Sequence, residues 1–352
     1  MFFKKKFKIG NSYVGNKDKV FVIAEIGVNH NGNILLAKRL VDEAAKAGAD
    51  CVKFQTFTAD SLVNRSTPKT PYQIKNTNKK ENHYQMLKKL ELKKSYYPEL
   101  LRLCKKKKLV FMSTPYSFDD VNFLHKIKVP AYKFASMHLP ETEFINYVAK
   151  KNKPMVMSTG MSSIKEISSA VNAIKKTGNK NLVLMQCTTD YPSKLSDANL
   201  LVLDYLKKKY QVIVGYSDHT ASSTSAIASV ALGARVIEKH FTLSKKMRGP
   251  DHSSSLEPKE LREYIKNIRE AELSLGSKFK KPSTAEKKNF KIMRRSIYSN
   301  KEIDKGSKIK LSMLEFMRPY DGIPVSDTHR VLNKTTKKKI KAYSKLKWSY
   351  FK

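Results

Sequence analysis

Eight short apolar runs in this chain end in residues that donate, accept or carry charge. In order these are Glu25; Lys53 and Gln55; Ser113 and Thr114; Lys133 and Ser136; Ser158 and Thr159; Cys187, Thr188 and Thr189; Ser217, Asp218 and His219; and Glu238 and His240. Lys53 with Gln55, and Glu238 with His240, are two apart, so in extended chain each pair points to one face. A lysine inside an apolar strand is costly unless an anion partners it, and Lys53 and Lys133 therefore suggest a bound anion. Hydroxyls that donate and ammonium groups that act as point charges suit a phosphate and a carboxylate. His219 and His240 end successive runs and can bring two imidazoles to one divalent cation; the alternative is a hydrogen-bonded pair of strand-end histidines. With no third Cys or His ligand evident, a closed zinc site is disfavoured, and an open site for Mn2+ or Mg2+, completed by water and substrate oxygens, is favoured. Any one of these polar residues is also what a strand entering a loop would carry. Their recurrence on all eight runs is what argues for a site.

The runs span 21–26, 51–55, 109–113, 131–136, 154–158, 182–187, 212–216 and 235–240, rich in Val, Ile, Phe and Met, and each is followed by a helix-like stretch. In 33–47, for example, Ile34, Leu35, Ala37, Leu40, Val41, Ala44 and Ala45 mark an apolar stripe that Gly48 ends. This alternation signals parallel strands with crossover helices. Eight such units in about 270 residues, closing with a helix predicted over 258–275, fit a (β/α)8 TIM barrel of the α/β class. In that fold the active site lies at the C-terminal strand ends, where the polar residues fall. About 40 residues, including Pro68, Pro71, Asn76 and Asn78, separate the second strand from the helix before the third, and a loop that long is usually functional. After Gly276 the texture becomes polar. The expected layout is a barrel over 1–280, a linker over 281–292 and a small, mostly β domain over 293–352, with turns such as Asp304-Lys305-Gly306. Such a domain is small enough to lean on a neighbour for stability.

Composition narrows the function classes. Of the chain's 352 residues 40% are hydrophobic and 28% charged, which is globular rather than disordered or low-complexity. The net charge is +38, yet only 11 of the 69 basic residues are arginine, and the lysines fall in scattered runs (4–6, 105–108, 207–209, 337–339). A nucleic-acid binder concentrates charge on one element with arginine and aromatics interleaved, so this excess reads as a solvated surface that raises on-rates for anionic substrates. Cys51, Cys104 and Cys187 form neither a Cys-x-x-Cys pair nor an even set, which fits a reducing cytoplasm. No apolar run is long enough for secretion or for spanning a membrane.

The chain resembles the sialic acid (nonulosonic acid) synthase family along nearly its whole length. The resemblance runs through IAEIGVNHNG (23–32), VKFQTF (52–57), the stretch 71–92 ending MLKKLEL, STPYS (113–117), STGM (158–161), CTTDYP (187–192), GYSDHT (215–220), EKHFT (238–242), GPDHSSSLEP (249–258), RRSIY (294–298) and Arg318-Pro319. It implies a (β/α)8 barrel followed by an antifreeze-like SAF domain. It also implies condensation of phosphoenolpyruvate with an N-acetylated mannosamine-type sugar to a nine-carbon 2-keto acid and phosphate. By the same resemblance His219 and His240 hold Mn2+ or Mg2+, and Lys53, Thr114, Lys133, Ser136, Ser158 and Ser217 cradle phosphoenolpyruvate. Glu25, Gln55, Tyr191 and Asp251 line the sugar side, with Asn78 taken alongside them, and Glu25, Lys53, Lys133 and Asp251 are the expected catalytic groups. Arg318 would reach into the barrel of a partner in a homodimer.

Several positions depart from the family pattern. Met137-His138 stands where relatives carry an acid, Thr189 where Asn is frequent, and Pro-Tyr-Asp-Gly follows Arg318 instead of Pro-Gly-x-Gly. The first two bear on substrate choice more than on reaction type. N-acetylneuraminate-type synthesis is the leading expectation and N,N'-diacetyllegionaminate synthesis the alternative. A 3-deoxy-octulosonate or heptulosonate phosphate synthase is a third reading, disfavoured by the C-terminal domain and Arg318. Outside the class stands a Lys-rich polyanion-binding protein on an inactive barrel.

Overall fold

The computed structural model describes residues 2–15 and 18–352, in two compact units, Met1–Gly276 and Ser277–Lys352. In the first unit an antiparallel hairpin of β1 (Lys6–Ile9) and β2 (Ser12–Gly15) precedes eight parallel strands. These are β3 (Phe21–Gly27), β4 (Cys51–Thr56), β5 (Val110–Pro115), β6 (Tyr132–Phe134), β7 (Met155–Ser158), β8 (Leu182–Cys187), β9 (Ile213–Asp218) and β10 (Val236–His240). They form a closed barrel, sealed where β10 pairs with β3 from Val236 opposite Phe21 to His240 opposite Glu25. The expected (β/α)8 architecture is therefore the observed one.

The helices follow in chain order. α1 (Ile34–Ala47) comes after β3; α2 (Ala59–Leu62), α3 (Pro71–Asn76), α4 (His83–Leu90) and α5 (Tyr97–Lys106) come after β4; then α6 (Phe118–Lys126), α7 (Thr142–Ala149), α8 (Ile164–Lys176), α9 (Val202–Tyr210), α10 (Thr224–Ala231) and α11 (Pro258–Leu275) alternate with the remaining strands. Local chemistry fixes their ends. The Asn33 side chain accepts from the Leu35 and Leu36 amides at the start of α1, and Gly48 takes the left-handed conformation, φ 87°, that ends it. α8 opens with a reciprocal Ser163–Glu166 capping box. No helix among the described residues is long and apolar enough to cross a membrane.

Outward strand residues such as Val22, Ala24, Val52, Phe54, Leu184 and Val214 pack with Leu40, Val41, Leu100, Val121 and Leu203 of the helices in one continuous core. A second core fills the barrel interior, where Ile23, Met112, Val156, Met185 and Ile213 meet Phe7, Ile9 and Val14 of the hairpin. The hairpin was not expected from sequence, although Phe7 and Ile9 alternate with charged residues as a half-buried strand should. The expected strand bounds shift by a residue or two at most ends, and the fourth strand shortens most. The fourth, read as 131–136, covers only Tyr132–Phe134, because Ser136–His138 turns into a 3-10 helix. The seventh runs on to Asp218.

The second unit also differs from its expected layout. The units divide after Gly276, and most of the expected linker 281–292 belongs to a helix, α12 (Thr284–Met293), with a Ser283–Glu286 capping box. A short antiparallel pair follows, β11 (Ser296–Ser299) with β12 (Leu314–Met317), and then a single helical turn, α13 (Thr328–Val331). The rest is tied by isolated bridges such as Ile303 with Ile340 and Thr336 with Phe351. Its core is Ile297, Ile303, Ile309, Leu314, Ile323, Val331, Ile340, Leu346 and Phe351.

Candidate active site

Along the barrel strands every second side chain faces the axis, and these inward series turn from apolar to polar toward the C-terminal end. Phe21 and Ile23 lead to Glu25, Cys51 to Lys53 and Gln55, Met112 to Thr114, Val156 to Ser158, and Val236 to Glu238 and His240. The period of two thus sorts one strand into a packed lower half and a reactive upper half. The polar ends line a cavity of about 320 Å³. Every expected site residue lines it except Asn78 and Arg318. Ser113 also belongs elsewhere: it faces outward and its hydroxyl donates to the Phe54 carbonyl at 3.1 Å.

Asn78 is exposed, its Oδ1 accepts from the Lys80 amide at 3.0 Å, and its carbonyl accepts from Lys69. The turn uses the side chain locally, which keeps it from the cavity. Arg318 is an exposed residue of the second unit whose Nε donates to the Met293 carbonyl at 2.9 Å.

The two buried lysines already have partners within the chain. Lys53 Nζ lies 3.0 Å from Glu25 Oε1 and 3.5 Å from Glu238 Oε2, and Lys133 Nζ lies 3.3 Å from Glu238 Oε1. The inference that buried lysines imply a bound anion is thus weakened, since two carboxylates offset both charges. Burial works against the charged form at all four groups. At Lys53 the two carboxylates outweigh it and raise the ammonium above its usual pKa. At Lys133 burial prevails, with the like charge of Lys53 added, and the pKa falls. Glu238, between both lysines, is pulled down to about 2. Glu25 goes the other way, raised by burial and by Glu238 despite Lys53.

The Ser217 hydroxyl donates to Glu238 Oε1 at 3.1 Å, while two others are held as acceptors. Ser158 Oγ accepts from Lys133 Nζ at 2.8 Å, and Ser136 Oγ accepts from the Gly160 amide at 2.9 Å. Gly160 is required there by space: a Cβ would stand 2.4 Å from Thr189 Oγ1 and 2.9 Å from Ser136 Oγ. Gln55 Nε2 donates to Glu25 Oε1 at 3.0 Å. Gly27 beside them, at φ 55°, marks a register shift between β3 and β4.

A second tier of contacts fixes the rim. Asp218 and Lys239 face outward, 3.3 Å apart, and the Tyr264 hydroxyl donates to Asp218 at 2.8 Å. Each is the chain neighbour of one imidazole, so the pair pins the ends of β9 and β10. Asn29 Nδ2 donates to the Phe241 carbonyl and to Ser255 Oγ, both at 2.9 Å, and His252 bonds Asn31 and Thr242. These bonds hold the loop that carries Asp251, whose carboxyl burial pushes up to about 7, with the Glu25 charge adding to it.

The imidazoles of His219 and His240 lie with centroids 5.5 Å apart, and the Tyr191 ring packs 4.2 Å from that of His219. His219 Nδ1 is 2.6 Å from the Thr188 carbonyl, which only accepts, so Nδ1 carries a proton and in the neutral ring Nε2 holds the lone pair. His240 Nδ1, Glu25 Oε2 and Glu238 Oε2 are buried without a hydrogen-bond partner. No group of three or more His, Cys, Asp or Glu side chains spaced to hold a metal occurs among the described residues. The two imidazoles are the side chains here that could take up a divalent cation, leaving its other positions to water or substrate oxygens.

Sequence reasoning marked the long segment after the second strand as functional but named none of the residues that line the other side of the cavity. Tyr72 and Tyr116 line it, as do Leu62, Val63, Met86 and Leu87. Tyr116 was legible as the residue two beyond Thr114. The apolar spacing of Met86, Leu87 and Leu90 announces a helix but not that its face borders a cavity.

A closed barrel with a charged, hydroxyl-lined cavity at its strand ends is a barrel-enzyme arrangement. Residues 40–280 match the NeuB family. The chain is 41% identical to an N,N'-diacetyllegionaminic acid synthase of Campylobacter jejuni, covering 92% of this chain and 97% of that one. It is 36% identical to an N-acetylneuraminate-9-phosphate synthase of Mus musculus, over 86% and 84% of the two chains. The crystal structure of an N-acetylneuraminic acid synthetase from Leptospira borgpetersenii in complex with citrate superposes with a TM-score of 0.71 at 31% identity, over 81% of this chain and 94% of that one. The chain belongs to the NeuB family of sialic acid synthases and is a transferase-type synthase.

Proposed function

We propose that the barrel condenses phosphoenolpyruvate with the open-chain form of an acetamido-mannose, giving a nine-carbon 2-keto acid and inorganic phosphate. The observation that carries this reading is the group of Thr114, Ser136, Ser158 and Ser217 hydroxyls beside Lys53 and Lys133 at one end of the cavity, in a chain of the NeuB family. Lys133 and Ser158, 2.8 Å apart, and the Gly160-anchored Ser136 would bind and orient the phosphate and carboxylate. His219 and His240 would hold Mn2+ or Mg2+, which supplies Lewis acidity at the aldehyde oxygen.

The electron pair of the phosphoenolpyruvate double bond forms the new C–C bond to the aldehyde carbon, whose own π pair moves to oxygen and is protonated. Positive charge then develops at C2 and is met by a water lone pair. The C2–O bond to phosphate breaks with its pair leaving on phosphate, and the added oxygen, having lost both protons, becomes the keto group. Glu25 is suited to the C2 centre, because its buried Oε2 has no other partner. Stabilising that charge is its larger contribution and accepting a proton from the water its smaller one.

N-acetylmannosamine, giving an N-acetylneuraminate-type product, and 2,4-diacetamido-2,4,6-trideoxymannose, giving an N,N'-diacetyllegionaminate-type product, are the two acceptors considered. The 41% identity to a legionaminic acid synthase favours the second. The proposal extends to a cytoplasmic homodimer in which the C-terminal unit is an SAF domain whose Arg318 serves the partner's cavity. Phosphate release from phosphoenolpyruvate with each sugar, with Mn2+ and with EDTA, tests the reaction, and mass spectrometry of the keto acid identifies the product. Metal-dependent release with either sugar is the expected result; none with both, from folded protein, overturns it.

A further inference from the structure

The cavity has two unlike sides. One is the strand-end group of lysines, carboxylates and hydroxyls. The other comes from the segment between β4 and α5, where Leu62 and Val63 at the end of α2 and Met86 and Leu87 of α4 line the space. Tyr72, Gln73 and His83 of the same segment line the space with hydrogen-bonding groups, whereas these four side chains, apart from the weakly accepting Met86 thioether, offer a ligand none. The wall is also firmly backed. Met86 and Leu87 belong to a cluster separate from the barrel core, with Val28, Phe57, Ala59 and Leu90, and Leu62 and Val63 pack against it. α4 begins with an Asn82–Gln85 capping box, and Asn76 Nδ2 ties the segment to the Pro250 carbonyl at 2.9 Å.

A sugar hydroxyl pressed against those four side chains gives up water and finds no partner on them, which is unfavourable. A methyl in the same place gains by leaving water. We infer that Leu62, Val63, Met86 and Leu87 are specificity-determining residues that receive a methyl-bearing part of the acceptor, so that the site selects a 6-deoxy, diacylated amino sugar over one with a terminal hydroxyl. The inference rests on the condensation reading above and adds to it which residues choose the acceptor.

The test measures kcat/KM for three acceptors with Mn2+ and saturating phosphoenolpyruvate: N-acetylmannosamine, its 6-deoxy analogue, and 2,4-diacetamido-2,4,6-trideoxymannose. Wild type is compared with Val63→Thr, which exchanges a methyl for a hydroxyl at nearly constant volume on a half-buried residue, and with Met86→Gln; thermal melts confirm that each is folded. The expected result is a wild-type preference of about tenfold or more for the diacetamido sugar, the 6-deoxy analogue falling between. Each substitution should narrow that ratio by roughly threefold or more while KM for phosphoenolpyruvate stays put. A wild-type ratio near one, or a ratio that the folded Val63→Thr variant leaves unmoved, overturns the inference while the reaction stands. No phosphate release with any acceptor overturns the reaction, and this inference with it.

Discussion

The strand-end side of the cavity and the inserted side are made in opposite ways. The strand-end groups come from residues spread between Glu25 and His240, each fixed by the register of a closed sheet, and their charges are matched: Lys53 and Lys133 against Glu25 and Glu238. The inserted side comes mainly from one stretch of chain, joined by Tyr116 just beyond β5, with its own small cluster of apolar residues. A change to the first disturbs a network in which every member has a partner. A change to the second alters an apolar surface backed by a small cluster that takes in Val28 and Phe57 just beyond β3 and β4. The division lets one reaction be kept while the acceptor varies.

The largest break is expected at the centre of the charged side. Lys53→Met leaves Glu25 without its ammonium partner and Glu238 with only Lys133. Removing one member of a buried ion pair costs about 3–5 kcal/mol, and the loss at the reacting centre should lower kcat/KM by roughly 10³-fold or more for every acceptor alike. Phosphate release and urea unfolding measure the two effects. Activity within tenfold of wild type would remove Lys53 from the catalytic groups.

Next comes acid stability at the barrel mouth. Burial holds His30 and His252 neutral, each lowered to about 4. In the unfolded chain the imidazole titrates near 6.5, so between those values the unfolded state binds more protons and the fold loses stability as pH falls. The contribution is intact above about pH 6.5 and, for His30, amounts to roughly 3 kcal/mol lost by pH 4. Urea unfolding at pH 7 and pH 5 should show the drop, and His252→Gln should make it smaller. An equal drop in that variant would mean that other groups set the acid limit.

Gly160→Ala should have a smaller and more selective effect. The new Cβ would meet Thr189 Oγ1 at 2.4 Å and Ser136 Oγ at 2.9 Å, so one or both must move, at about 1–3 kcal/mol of stability. Because Ser136 is displaced, KM for phosphoenolpyruvate should rise by roughly tenfold while the ratio between acceptors holds. A changed acceptor ratio would blur the line between the two sides of the cavity.

The charged side was readable in the sequence because it obeys a period of two on apolar runs, and the barrel because those runs alternate with amphipathic helices. The inserted side was not, because Leu62, Val63, Met86 and Leu87 are apolar in a way that composition cannot distinguish from core; only the packing shows which face is left to a ligand. Glu238 was seen at its strand end, but its place between two lysines depends on β10 closing against β3, a contact between opposite ends of the barrel sequence. The misplaced linker has a plainer cause: Ser283 with Glu286 is a capping-box signature that the surrounding Lys-rich texture obscured.

The most delicate test concerns a side chain that ties the two sides together. Asn76, not Asn78, reaches across: its Nδ2 donates to the Pro250 carbonyl and to Ser253 Oγ, both at 2.9 Å, and so joins the inserted segment to the loop that carries Asp251. Asn76→Ala removes two neutral hydrogen bonds near solvent, worth about 0.5–1.5 kcal/mol each. If the insert serves the acceptor alone, acceptor KM should rise by roughly threefold, with kcat, KM for phosphoenolpyruvate and the melting temperature nearly unchanged, and Asn78→Ala should match wild type throughout. A fall in kcat shared by all acceptors would show that the inserted segment also positions Asp251 for the reaction, and the two sides would then act as one.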